Sequence, residues 1–150
     1  MVDREARHSA SAALRRFADG ETTNDEFEFE YPDASKSHDR AIRAVDTMIW
    51  NLYSDEVHRL TGTHAPDTEG RSLLQRCLLF LSSGKEYAWP VDNFIAVRGA
   101  DPILNALTFG AAGRRKERHF QKMMDELAAA GDFSTWPFVS GEELAAAERR

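Results

Sequence analysis

Residues 38–60 read HDRAIRAVDTMIWNLYSDEVHRL, and the spacing inside this stretch decides the fold class. Ile42, Val45, Ile49, Leu52 and Tyr53 recur every three or four positions, and Val57 and Leu60 extend the stripe. That is the period of an α-helix with one apolar face. Ala41, Met48 and Trp50 widen the face, and Gly62 closes the run. The pattern predicts a single long helix from His38 to Leu60.

The same period governs the flanking sequence. After a short loop holding Pro66, a second helix is expected from Glu69 to Ser82. Its apolar residues Leu73, Leu74, Cys77, Leu78, Phe80 and Leu81 cover most of its circumference, the mark of a buried helix. On the N-terminal side, Ala6, Ala10, Ala13, Leu14 and Phe17 mark a helix over Asp3 to Ala18, stopped at Gly20. Beyond the second helix, Lys85 to Ala100 reads as irregular around Trp89-Pro90, because a residue before proline avoids the helical region. Asp101-Pro102 then opens a helix to about Phe109, since proline is well placed at the first helical position. Arg114 to Ala130 carries Phe120, Met123, Met124 and Leu127 on one face, with Gly131 as its stop. Ser140 and Glu143 form a capping box for a final Ala-rich helix. The expectation is an all-α fold: one domain spanning 1–150, a bundle of five or six helices with an irregular segment near Trp89.

Bulk composition is consistent with this. The chain has 150 residues, 42% hydrophobic and 29% charged, which suits one globular domain rather than a disordered chain. Its longest apolar run, Cys77 to Leu81, is far below the roughly 20 residues that a membrane span needs. The first residues lack the apolar core of a signal peptide, and a single cysteine rules out an internal disulfide. A reducing, bacterial-type cytoplasm is the expected compartment, with no cofactor and no membrane partner. A pI near 5.4 weighs against nucleic acid as the main ligand.

Charge is distributed unevenly. Asp19, Glu21, Asp25, Glu26, Glu28, Glu30 and Asp33 lie between Phe17 and Ser35 with no basic residue among them. The whole chain carries a net charge of −6, so the remainder is close to neutral. Two structures fit Glu21 to Tyr31. Alternation of Phe27, Phe29 and Tyr31 with Glu28 and Glu30 has the period of a strand. The capping box formed by Thr23 and Glu26 favours instead a short helix from about Asn24 to Phe29, ending before Pro32. Three aromatics within five residues cannot all point inward from one short helix, so one of them is expected on the surface. The candidate partner-binding residues are therefore Asp25, Glu26, Phe27, Glu28, Phe29, Glu30 and Tyr31, and the partner they suit is a basic protein.

Other chemistry is sparse. Asp55 and His58 lie three apart, and Glu117 and His119 two apart, but no zinc-type ligand motif is present. Cys77 lies among apolar residues, which favours an inert thiol. No nucleophile elbow and no phosphate loop is found. Arg114, Arg115, Lys116, Arg118 and Lys122 form a basic cluster that could touch phosphates, but the reading favoured is a solvated face or one paired with the acidic N-terminal segment inside the fold. Trp50, Tyr53, Phe80, Trp89, Phe94 and Trp136 could line a pocket or fill the core. An enzyme reading needs at least two of Asp55, His58, Glu117 and His119 to converge on one cleft. That cleft would lie between the His38–Leu60 helix and the C-terminal aromatics, as in a small hydrolase. A third alternative is a structural subunit that assembles into a homo-oligomer through an apolar face.

The run LRRFADGETTNDEFE, residues 14–28, resembles the opening of the colicin D-type bacterial immunity proteins. Residues 44–55, acidic and aromatic at their end, are similar in a general way, while Trp89-Pro90 to Arg150 has no counterpart. The resemblance implies a small helical protein that inhibits a tRNA-cleaving toxin by covering its basic active site with acidic side chains. It implies Asp25, Glu26, Glu28 and Glu30 as contacts. The expected function is accordingly non-enzymatic binding of a basic partner, which the resemblance implies is a nuclease toxin.

Overall fold

The computed structural model describes residues 1–90, 118, 121–122 and 125–149. The fold is all-α, and no strand occurs among the described residues. Helix α1, Arg4–Ala18, is capped by Asp3, whose side chain accepts the amide of Ala6 at 3.0 Å. Glu5 in its first turn and Arg15 and Arg16 in its last turn complement the helix dipole. Helix α2, Asn24–Glu30, follows a tight turn at Gly20, where φ is +71°. A Cβ on Gly20 would come within 2.5 Å of the Thr61 side chain, so glycine is needed both for conformation and for space.

Helix α3 spans Arg40–Ile49 and runs into a 3-10 turn at Trp50–Leu52. The helical stripe read in residues 38–60 is therefore correct up to Leu52, and the helix expected to continue to Leu60 does not. At Tyr53 the backbone becomes extended, and the ring turns into an aromatic group made by α1 and α2. The residues after it gain from outside the hydrogen bonds that a helix would have supplied internally. The Asn24 side chain donates to the carbonyls of Ser54 and Glu56, at 3.2 and 3.1 Å, and accepts from the amide of His58 at 2.9 Å. Tertiary burial of Tyr53 and Asn24 outweighs local periodicity here.

Helix α4, Thr68–Ser83, is capped by Asp67 and ends at Gly84 in the left-handed region, φ +69°. It packs along α1 and touches α3. Residues 85–89 are irregular, as expected around Trp89-Pro90. Helix α5, Gly141–Glu148, starts at Ser140, which accepts the amide of Glu143 at 3.3 Å, and α5 packs on α4. Residues 125–130 are helical and bury Leu127. The helix expected over Asp101 to Phe109, and most of that over Arg114 to Ala130, lie outside the described residues.

One apolar cluster joins these elements. It runs from Ala10, Leu14 and Phe17 through Phe27, Ile42 and Val45 to Leu74, Phe80, Trp89 and Phe138. At its edge lies a buried ion pair. Arg7 Nε donates to Asp39 Oδ2 at 2.6 Å and Arg7 Nη2 to Asp39 Oδ1 at 3.0 Å, both residues being 2% exposed. Asp39 also caps α3 through the amide of Ala41, while Arg7 donates to the carbonyl of Lys85. This pair ties α1, the start of α3 and the irregular segment into one unit.

Candidate functional site

The acidic segment folds as a short helix rather than a strand. Thr23 Oγ1 accepts the amide of Glu26 at 3.2 Å, and Glu26 Oε2 accepts the amide of Thr23 at 2.8 Å, completing the capping box. These bonds hold the Glu26 carboxyl below its usual value, with the Thr23 amide contributing most. Helix α2 is only seven residues long and would not persist alone in water. It is held from below. Phe27 stacks on Phe17 with centroids 4.8 Å apart, and Tyr31 tilts against Phe27 at 5.2 Å. The Tyr31 hydroxyl donates to the carbonyl of Ile42 at 3.1 Å.

This anchoring divides the seven candidate residues. Phe27 and Tyr31 are 0% and 6% exposed and belong to the core, so neither presents a surface to a partner. Phe29 is 92% exposed. Asp25, Glu26, Glu28 and Glu30 are also exposed. Their carboxylates are differently committed. Glu26 is in the capping box, Glu30 accepts from Arg16 at 2.6 Å, and Glu28 accepts the Tyr53 hydroxyl at 3.1 Å. Asp25 makes no side-chain hydrogen bond or ion pair among the described residues. Asp25, Glu28 and Phe29 are spaced by three and four positions, so they share one outward face of α2.

Close to Glu28 lies a further carboxylate that the periodic pattern did not single out. Asp46, on α3, is only partly exposed, and burial together with the charges of Glu28 and Asp33 pushes its carboxyl up to about 6. Burial and the same Glu28 charge also push the Tyr53 hydroxyl well above its ordinary value. Both groups therefore feel the charge of Glu28 in addition to their burial.

The other candidates are dispersed. Asp55 is exposed and makes no bond to His58. The His58 ring engages the carbonyl of Glu56 through Nδ1 at 2.6 Å and stacks on His64, centroids 4.1 Å apart. Glu117 and His119 lie outside the described residues. No group of three or more His, Cys, Asp or Glu able to hold a metal occurs among the described residues. Cys77 is fully buried, and desolvation pushes its thiol up to about 12, leaving it protonated and unreactive at neutral pH. Of the aromatics that could have lined a pocket, Phe80, Trp89 and Trp136 are in the core. Trp50 is 55% exposed, and Phe94 lies outside the described residues. A shallow open cleft of about 340 Å³ runs beside Tyr53, between Asn51–Ser54 and Thr63–Pro66. Of the basic cluster, only Arg118 and Lys122 are described, and Lys122 lies 3.9 Å from Glu126. No helix among the described residues is long and apolar enough to cross a membrane.

No protein-family model, curated protein or solved structure matches the chain.

Proposed function

We propose that this chain is a non-enzymatic, immunity-like protein that docks a basic protein partner, of the nuclease-toxin kind, on the outer face of α2. The observation that carries the reading is Phe29. It is left 92% exposed on a helix whose other two aromatics, Phe27 and Tyr31, are locked in the core. An exposed ring on a helix anchored from below can be buried by a partner with little loss of backbone freedom, and aromatic residues are enriched where interfaces exclude water. Around it, Asp25, Glu26, Glu28 and Glu30 supply negative charge that speeds the encounter with a basic surface. Burial of Phe29 would then slow dissociation. A nuclease is basic where it grips phosphate, so an acidic face of this kind can imitate its substrate.

Glu26 is unsuitable for the test because it caps the helix. Asp25→Lys with Glu28→Lys reverses the face and leaves the capping box intact. Wild-type and variant chains, immobilised and exposed to the native host's proteins, should differ in one respect. A basic protein should be retained by the wild type at low salt, released at high salt, and not retained by the variant. Equal retention by the two chains, or retention that salt does not weaken, would sink the reading.

A further inference from the structure

We infer that the outer face of α2 is built to receive arginine rather than lysine, with the guanidinium laid on the Phe29 ring and bonded to Asp25. This rests on the docking reading and names the side chain that the partner must bring. Three observations carry it. Phe29 makes no ring contact with another aromatic among the described residues, so its faces are open at 92% exposure. Asp25, one turn earlier on the same face, is the carboxylate of α2 that has no partner among the described residues. The carboxylates on the flanks are already engaged, Glu30 by Arg16 and Glu26 by the cap. Positions four apart on a helix are neighbours on one face, so Phe29 and Asp25 lie side by side on α2.

A cation resting on that ring is therefore within reach of the unengaged carboxylate. Glu28, three residues after Asp25, adds a further acceptor, because its bond to Tyr53 uses one oxygen. A guanidinium is planar, stacks on an aromatic face and donates two parallel bonds to a carboxylate. An ammonium can also sit over the ring, but as a compact, strongly hydrated point charge it cannot lie flat on the face while donating two parallel bonds to the carboxylate. The juxtaposition of an open ring and an unpaired carboxylate thus selects for arginine. A purely acidic patch would take either cation.

The test uses the full chain with oligoarginine and oligolysine peptides of equal length, titrated at low salt by calorimetry. The wild type is expected to bind oligoarginine about three- to five-fold more tightly than oligolysine, the scale of an exposed cation–π contact. Phe29→Leu should abolish that preference while leaving the oligolysine affinity unchanged, and Asp25→Asn should weaken both. Both positions are exposed, and an unchanged far-UV circular dichroism spectrum will show that both variants fold. Equal affinity for the two peptides, or a preference that survives Phe29→Leu, overturns the arginine assignment and leaves the acidic docking face standing. Failure of both peptides to bind overturns the docking reading as well.

Discussion

At the scale of single residues, the strongest constraints are two carboxylates shifted in opposite directions. Burial alone would raise the Asp39 carboxyl, but the guanidinium of Arg7 and the amides of Asp3 and Ala41 hold it below its ordinary value. Its stabilising contribution is present at neutral pH and is lost as pH falls through that lowered value. Asp39→Asn keeps a cap for α3 but leaves a buried guanidinium unpaired, and should cost about 3–5 kcal/mol in urea unfolding. Adding Arg7→Met should recover part of that loss, since removing both charges is cheaper than stranding one. Asp46 works the other way. With a folded value of about 6 against an ordinary 3.8, the native state holds a proton that the unfolded chain has released, so stability falls as pH rises from about 4 to 6. Asp46→Asn should therefore stabilise the protein at pH 7.5, on the order of 2 kcal/mol once partial exposure is discounted, and by much less at pH 4. Thermal unfolding of wild type and variant at both pH values checks this. Neither residue was legible in the sequence. Arg7 and Asp39 are 32 positions apart, and nothing in a periodic pattern reports which distant charge will be its partner.

At the scale of elements, sequence predicted well where caps and period agree. The helices expected over Asp3 to Ala18 and Glu69 to Ser82 are found as Arg4–Ala18 and Thr68–Ser83. The Thr23–Glu26 box correctly chose helix over strand for the acidic segment. Periodicity misleads after Leu52, where the apolar positions Val57 and Leu60 still fit a helix but the packing of Tyr53 against Phe17 and Phe27 and the bonds from the distant Asn24 hold the chain otherwise. Leu60 is buried all the same, while Val57 is exposed. Asn24 is 2% exposed, and truncating it would strip a partner from the carbonyls of Ser54 and Glu56 and the amide of His58, leaving the Glu56 carbonyl with the His58 ring alone. Asn24→Ala should cost about 2–4 kcal/mol and speed hydrogen exchange at the His58 amide well beyond the global effect. Thr23→Ala, which removes one cap bond from an exposed helix end, should cost only about 1 kcal/mol. If the two losses are equal, Asn24 does not hold the loop and the account of why α3 stops is wrong.

At the scale of the whole molecule, the question is whether the C-terminal residues close the bundle or merely rest on it. Several bonds reach across. Trp89 Nε1 donates to the carbonyl of Pro137 at 3.0 Å, and Trp136 Nε1 donates to the Tyr87 hydroxyl at 3.0 Å. Arg76 Nε, on α4, donates to the carbonyl of Trp136 at 2.8 Å, and Lys85 pairs with Glu143 at 3.0 Å. The two Trp-Pro dipeptides were visible in the sequence, but not that each would bring its ring into one shared core. Their contacts with α4 mean that the C-terminal segment should unfold with the helices and not before them. Gly131 offers a local perturbation with which to ask. A Cβ there would lie 2.4 Å from the carbonyl oxygen of Val139, where Asp132 accepts a close backbone approach by donating its amide at 2.9 Å. Gly131→Ala must push that strand of chain away, and should cost about 1–3 kcal/mol, as overpacking does. If the core is one cooperative unit, the variant's urea midpoint falls by the same amount whether followed by tryptophan fluorescence or by helical circular dichroism. Separate midpoints would instead show that the segment around Trp136 melts alone, with the α1–α4 bundle and its acidic face standing independently of it.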